Sequence, residues 1–312
     1  MLRSIALLVA TLLFSTNSFA NTKLTVLLDW FINPDHAQLI LAEELGFFEE
    51  QGLSVEMIEP ADPSLPPKLV AAGKADLAIS YQPQLHMQVE QGLPLTRIGT
   101  LVSTPLNSLV VLADGPIESL ADLKGKKVGF SVGGFEDALL KAMLDTVDLQ
   151  LSDVELINVN FSLSPSLISG QVDAVIGAFR NFELNQMDIE EQPGRAFYPE
   201  EHGVPVYDEL IVVANNDSLD KQELVAFMRA IEKATTYLIN HPEESWEIFR
   251  ATNPDNLDNE LNRRAWRDTL PRLALRPSAM DSRRYEDFGK FMQEQELISE
   301  QAPLSSYAIE LR

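Results

Sequence analysis

The sequence has no cysteine among its 312 residues. That excludes disulfides, thiolate metal sites, cysteine nucleophiles and a lipid-modified N-terminal cysteine. Basic residues are also scarce, with 24 Lys and Arg against 47 Asp and Glu and a net charge of −23. Such a balance repels nucleic acid and anionic lipid headgroups, and it weighs mildly against a highly charged anionic ligand. Solubility explains the acidic surplus equally well, so it selects no function. The four histidines, His36, His86, His202 and His241, show neither i, i+4 pairing nor metal-ligand spacing. There is no phosphate loop of the G-x-x-x-x-G-K-S/T type and no dinucleotide fingerprint. Carboxylates are too abundant for any pair to stand out as a glycosidase dyad. Beyond the first twenty residues no apolar run approaches membrane-spanning length.

Those first twenty residues read as a cleaved export signal. Arg3 precedes the run IALLVATLLF, and Ser18-Phe19-Ala20 puts small residues at the two positions a signal peptidase inspects. A chain exported without a lipid tether needs an outer wall to retain it, so a Gram-negative periplasm is the expected location. The remaining length suits about two ordinary domains, and 45% hydrophobic residues supply an ample core.

Strand-like runs fall at 24–30, 53–58, 75–81, 96–102, 108–113, 126–132, 154–159, 172–179 and 209–214. Helical runs fall between many of them, at 35–50, 64–72, 82–91, 118–123, 135–147, 164–170 and 183–190. The alternation predicts an α/β fold with parallel sheets covered on both faces. After about residue 217 the pattern turns helical, and no low-complexity or Pro/Gly-rich linker divides the chain.

An internal echo organises this reading. LVAAGKADLAI at 69–79 and LISGQVDAVI at 167–176 each run from a helix end through Gly, two residues and Asp into an apolar strand. One copy alone is ordinary punctuation. Two copies about a hundred residues apart imply two similarly wound lobes, with the carboxyl ends of both sheets facing a shared cleft. Ser80-Tyr81-Gln82 and Phe179-Arg180-Asn181 then fall at corresponding cleft edges.

The densest local signal is LTVLLDWFINPDHA, a buried strand that ends in Asp29 and Trp30 and runs directly into a helix start. Pro34 suits the first helical turn and Asn33 suits the N-cap. Trp30, Asn33 and His36 would sit where a small molecule can enter. The motif D-W-F-x-N, x-x-H, then G-x-F-x-x-x-G-L resembles the opening of the periplasmic pyrimidine-binding proteins of the NMT1/THI5-like family, solute receptors of ABC importers for thiamine precursors. TPLNSLVVL, GFEDALLKAML, GAFRNFE and YDELIVVAN extend the resemblance over about residues 24–215. ESLADLKGKKVGFSV at 118–132 is shared more widely among type-II solute receptors.

The resemblance implies a type-II periplasmic binding protein. Lobe one would span 21–110 and 209–312, lobe two 111–208, with crossings near Asn107 and Tyr207. It further implies a soluble, monomeric receptor that passes a small ligand to a membrane permease and needs no cofactor or metal. Hydroxymethylpyrimidine or its formylamino precursor is the first expectation. Relatives of the same fold carry alkanesulfonates, taurine, nitrate or riboflavin precursors.

A flat aminopyrimidine offers two stacking faces, ring-nitrogen acceptors and an exocyclic amine donor. Trp30, Tyr81, Phe179 and Tyr207 are the candidate walls. Asp29, Asn33, Asn107, Glu136, Asn181 and Glu183 are the candidate polar edges, with His36, Ser108 and Gly134 beside them. The plainer reading of each aromatic is a core residue. For Glu136 it is a helix-dipole partner, and for Arg180 it is a salt bridge.

Two enzymatic readings compete with a receptor. Gly129-Phe130-Ser131-Val132-Gly133 matches G-x-S-x-G between a strand and a helix, but no HGG-type oxyanion loop precedes it. The same family also includes the enzyme that builds the thiamine pyrimidine by consuming one of its own histidines. His86 lies near that position, but the enzyme's cysteine-rich stretch is missing. The expected protein is therefore not an enzyme.

Overall fold

The computed structural model describes residues 21–311, and the expected leader lies outside them. Two five-stranded sheets organise the chain. The first contains β1 (Thr22–Leu27), β2 (Leu53–Ile58), β3 (Leu77–Ser80), β4 (Leu95–Val102) and β10 (Leu210–Asn215), in the order β2-β1-β3-β10-β4. The second contains β5 (Asn107–Leu112), β6 (Lys127–Phe130), β7 (Glu155–Asn158), β8 (Ala174–Phe179) and β9 (Gly194–Phe197), in the order β7-β6-β8-β5-β9. The two orders are the same pattern. In each, the strand that follows the Gly-x-x-Asp segment (β3 or β8) lies at the centre, and a strand arriving from the other lobe (β10 or β5) pairs beside it.

That exchange makes both sheets mixed where alternation alone predicts parallel ones. β10 runs antiparallel to β3 and β4, and β5 runs antiparallel to β8 and β9. A strand that has just crossed from the other lobe enters from the far end of the sheet, so it must run against its neighbours. β5 belongs wholly to the second sheet, which puts residues 107–110 there and not with the first lobe. β9 is absent from the sequence reading because all four of its residues are half-buried, which leaves no alternation to detect.

The repeated Gly-x-x-Asp segments do equivalent work. Gly73 and Gly170 end their helices with φ of +66° and +73°. Asp76 Oδ2 accepts from the Thr25 N–H at 2.9 Å, and Asp173 Oδ2 accepts from the Lys127 N–H at 2.8 Å. Each carboxylate thus pins the incoming central strand to the parallel strand beside it.

The helical last third packs onto the first lobe. The helix Gln222–Asn240 lies along Ala37–Glu44 and Phe47–Glu50, and Phe48 stacks on Phe227 at 5.3 Å. The expected single helix at 35–50 is divided. A 3-10 turn, Pro34–His36, leads into Ala37–Glu44, and Gly46 at φ +72° breaks the chain before Phe47. Residues 307–309 bond to Arg97 on both sides and so cover the outer edge of β4.

The two crossings are fastened together. Glu209 Oε2 accepts from the N–H groups of Leu106 (2.6 Å) and Asn107 (2.9 Å). Burial pushes this carboxyl up to about 7 despite those donors.

Candidate functional site

The loop after β1 is shaped by one buried carboxylate. Asp29 accepts from the Tyr81 hydroxyl at 2.9 Å and from His36 Nε2 at 3.0 Å. The Asn33 N–H points at His36 Nδ1 (3.3 Å), so the imidazole proton sits on Nε2 and is donated to Asp29. Asn33 is the expected N-cap, accepting from the Asp35 N–H at 2.8 Å. Strand, cap and histidine thus lock into one rigid corner, which turns Trp30 toward the second lobe.

There Trp30 meets Phe161 edge-on at 4.7 Å, and Phe31 packs on the same ring. Tyr81, at the end of β3, stacks on Phe135 of the second lobe at 4.8 Å, nearly parallel. Phe179, at the end of β8, stands perpendicular to Tyr81 at 6.4 Å. The aromatic residues after the two echoed segments therefore face one another across the interlobe cleft.

The two lobes enclose a cleft between these aromatic residues. Only about 20 Å³ of it is open to the centre of a water-sized sphere, so it is a narrow slot. Its walls are Trp30, Tyr81, Phe179, Phe182 and Leu163. Its polar lining is Asp29, Asn33, Asp35, Glu136 and Glu183, with Gly177 at the floor. Four carboxylates face one slot, and no lysine or arginine lines it.

Each carboxylate is held differently. Glu136 Oε2 accepts from the Ser131 N–H at 2.7 Å, and burial pushes its pKa up to about 8 against that donor. Glu183 Oε2 accepts from the Phe179 N–H at 2.6 Å, and burial pushes it to about 7. Asp35 Oδ1 accepts from Asn181 Nδ2 (2.7 Å) and the Thr269 hydroxyl (2.9 Å), and burial pushes it to about 6. The Asn181–Asp35 bond joins the two lobes.

Glu136 reaches its position because β8 gives way. The pairing of β5 on β8 slips at Ser108/Leu109, passing from Ala178 to Ile176, so Gly177 is a bulged residue with φ +99°. A Cβ there would lie 2.3 Å from Glu136 Oε1. The N–H freed by the bulge donates to Asn107 Oδ1 at 3.1 Å.

Seven of the sequence candidates line the slot: Asp29, Trp30, Asn33, Tyr81, Glu136, Phe179 and Glu183. His36, Asn107 and Asn181 stand behind it, holding Asp29, Gly177 and Asp35. The remaining three lie elsewhere. Ser108 is buried in β5 and donates to the Ala178 carbonyl at 2.6 Å. Gly134 sits exposed on the loop before the helix Glu136–Asp145, at φ +87°. Tyr207 is buried against Phe288 at 5.4 Å, because the returning crossing carries it into the core of the first lobe. Asp35, Gly177, Leu163 and Phe182 also line the slot but were not candidates. Asp35 had one usable signal, an acidic residue inside the same Asn-Pro-Asp-His loop.

Arg180 is diverted from the slot. It pairs bidentately with Glu200 at 2.5 and 3.0 Å, donates to the Leu106 and Asn107 carbonyls, and lies 4.1 Å from the Tyr198 ring. Ser131 donates its hydroxyl to the Asn160 carbonyl and its N–H to Glu136, so its loop holds a carboxylate where an esterase would hold a nucleophile. His86 is packed among Tyr285, Phe288 and Tyr307 inside the first lobe, outside the slot lining.

The sequence matches the family model described as NMT1/THI5 like over residues 33–245. It is 57% identical to a Haemophilus influenzae protein named for thiamine biosynthesis, covering 96% of each chain. It is 34% identical to the formylaminopyrimidine-binding protein of Halalkalibacterium halodurans, over 76% of this chain and 72% of that one. A 4-amino-5-hydroxymethyl-2-methylpyrimidine phosphate synthase of Legionella pneumophila is 25% identical, over 92% and 91%. The alkanesulfonate-binding protein SsuA of Xanthomonas axonopodis shares the fold, with a TM-score of 0.71 at 14% identity, over 93% of this chain and 98% of that one. The two-lobed architecture is thus that of the periplasmic binding proteins, and the chain belongs to the NMT1/THI5-like family.

Proposed function

We propose that this protein is an exported solute receptor. It closes on a small, donor-bearing aromatic heterocycle of the aminopyrimidine type and delivers it to the permease of an ABC importer. The observation that carries the reading is the slot itself, lined by Trp30, Tyr81 and Phe179 and by four carboxyl groups with no lysine or arginine. A flat ring can stack on Trp30 or Phe179 once the lobes part, and stacking adds about 0.5–1.5 kcal/mol beyond burial. An amine finds acceptors on several sides. A sulfonate or nitrate would enter a slot that holds four carboxyl groups and no lysine or arginine to offset its charge. The same fold therefore serves a different ligand class here from that in the alkanesulfonate-binding protein.

The 34% identical formylaminopyrimidine-binding relative supports hydroxymethylpyrimidine or formylaminopyrimidine as the ligand. The family's synthases offer the second reading, but the buried packing of His86 away from the slot argues against a sacrificial histidine at that position. Mass spectrometry of the ligand released from protein purified from its native periplasm tests the proposal. An aminopyrimidine supports it, and a sulfonate or nitrate overturns the ligand class. N-terminal sequencing of the same material should begin at Asn21, as a cleaved leader requires.

A further inference from the structure

Resting on the aminopyrimidine reading, we infer that Asp35 determines ligand specificity, receiving the exocyclic amine of the ligand on its free carboxylate oxygen and so selecting amino over oxo heterocycles. Asp35 is 1% exposed and lines the slot. Its Oδ1 is committed twice, to Asn181 from the second lobe and to Thr269 from the helix Glu260–Thr269. Its Oδ2 is fully buried and has no hydrogen-bond partner. Asn181 Oδ1, on the amide bonded to Asp35, is a second buried acceptor without a partner.

A buried acceptor without a donor costs about as much as a hydrogen bond is worth, and more when the acceptor is charged. The surroundings of Asp35 offer little relief. Asp29 and Glu183 are both acidic, and the His36 Nε2–H is donated to Asp29, so His36 acts on Asp35 only through space. No lysine or arginine lines the slot. Asp35 therefore lines the slot with one carboxylate oxygen whose need for a donor is unmet. An amine N–H meets that need. A carbonyl oxygen on the same ring carbon presents another acceptor and repels it.

The arrangement also explains when the selection acts. Asn181 comes from the other lobe, so Asp35 is fixed in this position only when the lobes close. Amine recognition and closure are then parts of one event.

The test is calorimetric titration with 4-amino-5-hydroxymethyl-2-methylpyrimidine and with its 4-oxo counterpart, on wild-type protein, Asp35→Asn and Thr269→Val. Wild type should bind the amino compound about 10- to 100-fold more tightly, the scale of one charge-assisted hydrogen bond. Asp35→Asn is isosteric but can donate from the position of Oδ2, so it should bring the ratio to about one or reverse it. Thr269→Val loosens Asp35 without removing its charge and should weaken both ligands while keeping the preference. Equal binding of the two compounds by wild type overturns the inference and leaves the receptor reading intact. So does an Asp35→Asn protein with an unchanged ratio. Wild type that binds neither compound overturns both.

Discussion

The two lobes carry the same central strand and the same punctuation before it, but they diverge where that strand meets the cleft. In lobe one β3 runs without a break to Tyr81, whose hydroxyl satisfies Asp29. In lobe two β8 bulges at Gly177, and the gap admits the carboxyl of Glu136. The consequence is electrostatic. Asp29 receives two side-chain donors from its own lobe, Tyr81 and His36. Glu136 and Glu183 depend on backbone N–H groups and are pushed by burial to about 8 and 7. Lobe one therefore satisfies Asp29 with side-chain donors and leaves one oxygen of Asp35 open, and lobe two holds its two glutamates by backbone donors alone. A ligand that donates to the Asp35–Asn181 contact engages both lobes at once, which gives it a reason to favour closure.

The largest expected effect comes from removing lobe one's wall. Trp30→Ala should weaken aminopyrimidine binding by about 2–4 kcal/mol, or roughly 30- to 1,000-fold in Kd. Tryptophan fluorescence reports the event cleanly in wild type, because Trp246 and Trp266 pack on each other at 5.5 Å outside the slot. A folded Trp30→Ala protein with unchanged affinity would remove that wall from the site.

Gly177→Ala attacks the feature that lobe one lacks. The added Cβ collides with the Glu136 carboxyl, at a φ that disfavours any side chain. We expect about 1–3 kcal/mol lost in stability and about tenfold or more in affinity. Gly170→Ala has the same kind of φ but open space around it, so it should lower Tm while leaving affinity alone. Equal affinity losses in the two variants would mean the bulge has no special role.

The pH dependence of stability sharpens the comparison further. Glu136 titrates near 8 when folded against an ordinary value of 4.5. Below about 4.5 the proton is bound in both states. As pH rises toward 8 only the unfolded chain gives it up readily, so the contribution to stability falls across that window. Ligand-free wild type should thus lose Tm between pH 5.5 and 8.5, and Glu136→Gln should lose a few degrees less. Parallel Tm profiles for the two proteins would contradict the burial argument.

The smallest effect tests the symmetry itself. Asp76→Ala and Asp173→Ala each remove one carboxylate that joins two parallel strands, worth about 0.5–1.5 kcal/mol in denaturant unfolding. Asp76 is the less exposed of the two and should cost more. A null result at both would reduce the echo to punctuation without energetic content.

Much of this was legible in the sequence because it is local. Strand runs, the Asn33 cap and the Gly-x-x-Asp echo are written in neighbouring residues, and the echo led to Tyr81 and Phe179 facing one cleft. The loop at Asp29 and Trp30 announced itself by polar residues crowding a tryptophan at a strand end. What failed was also instructive. Tyr207 has the composition of a wall residue, but the crossing beside it turns the ring toward Phe288. Arg180 could have supplied the slot with a cation until Glu200, twenty residues on, claimed it.

By itself the sequence determined two α/β lobes, their punctuation, the aromatic edges of the cleft and membership in the NMT1/THI5-like family. Tertiary structure alone decided the charge of the site. Asp35 meets Asn181 across 146 residues of chain and Thr269 across 234, and the Glu136 carboxyl is admitted by a bulge in a strand forty residues later. Periodicity reports only which face of an element is buried. Which carboxylates end up together, and whether a cation joins them, depends on how the two lobes close on one another, and no local pattern records that.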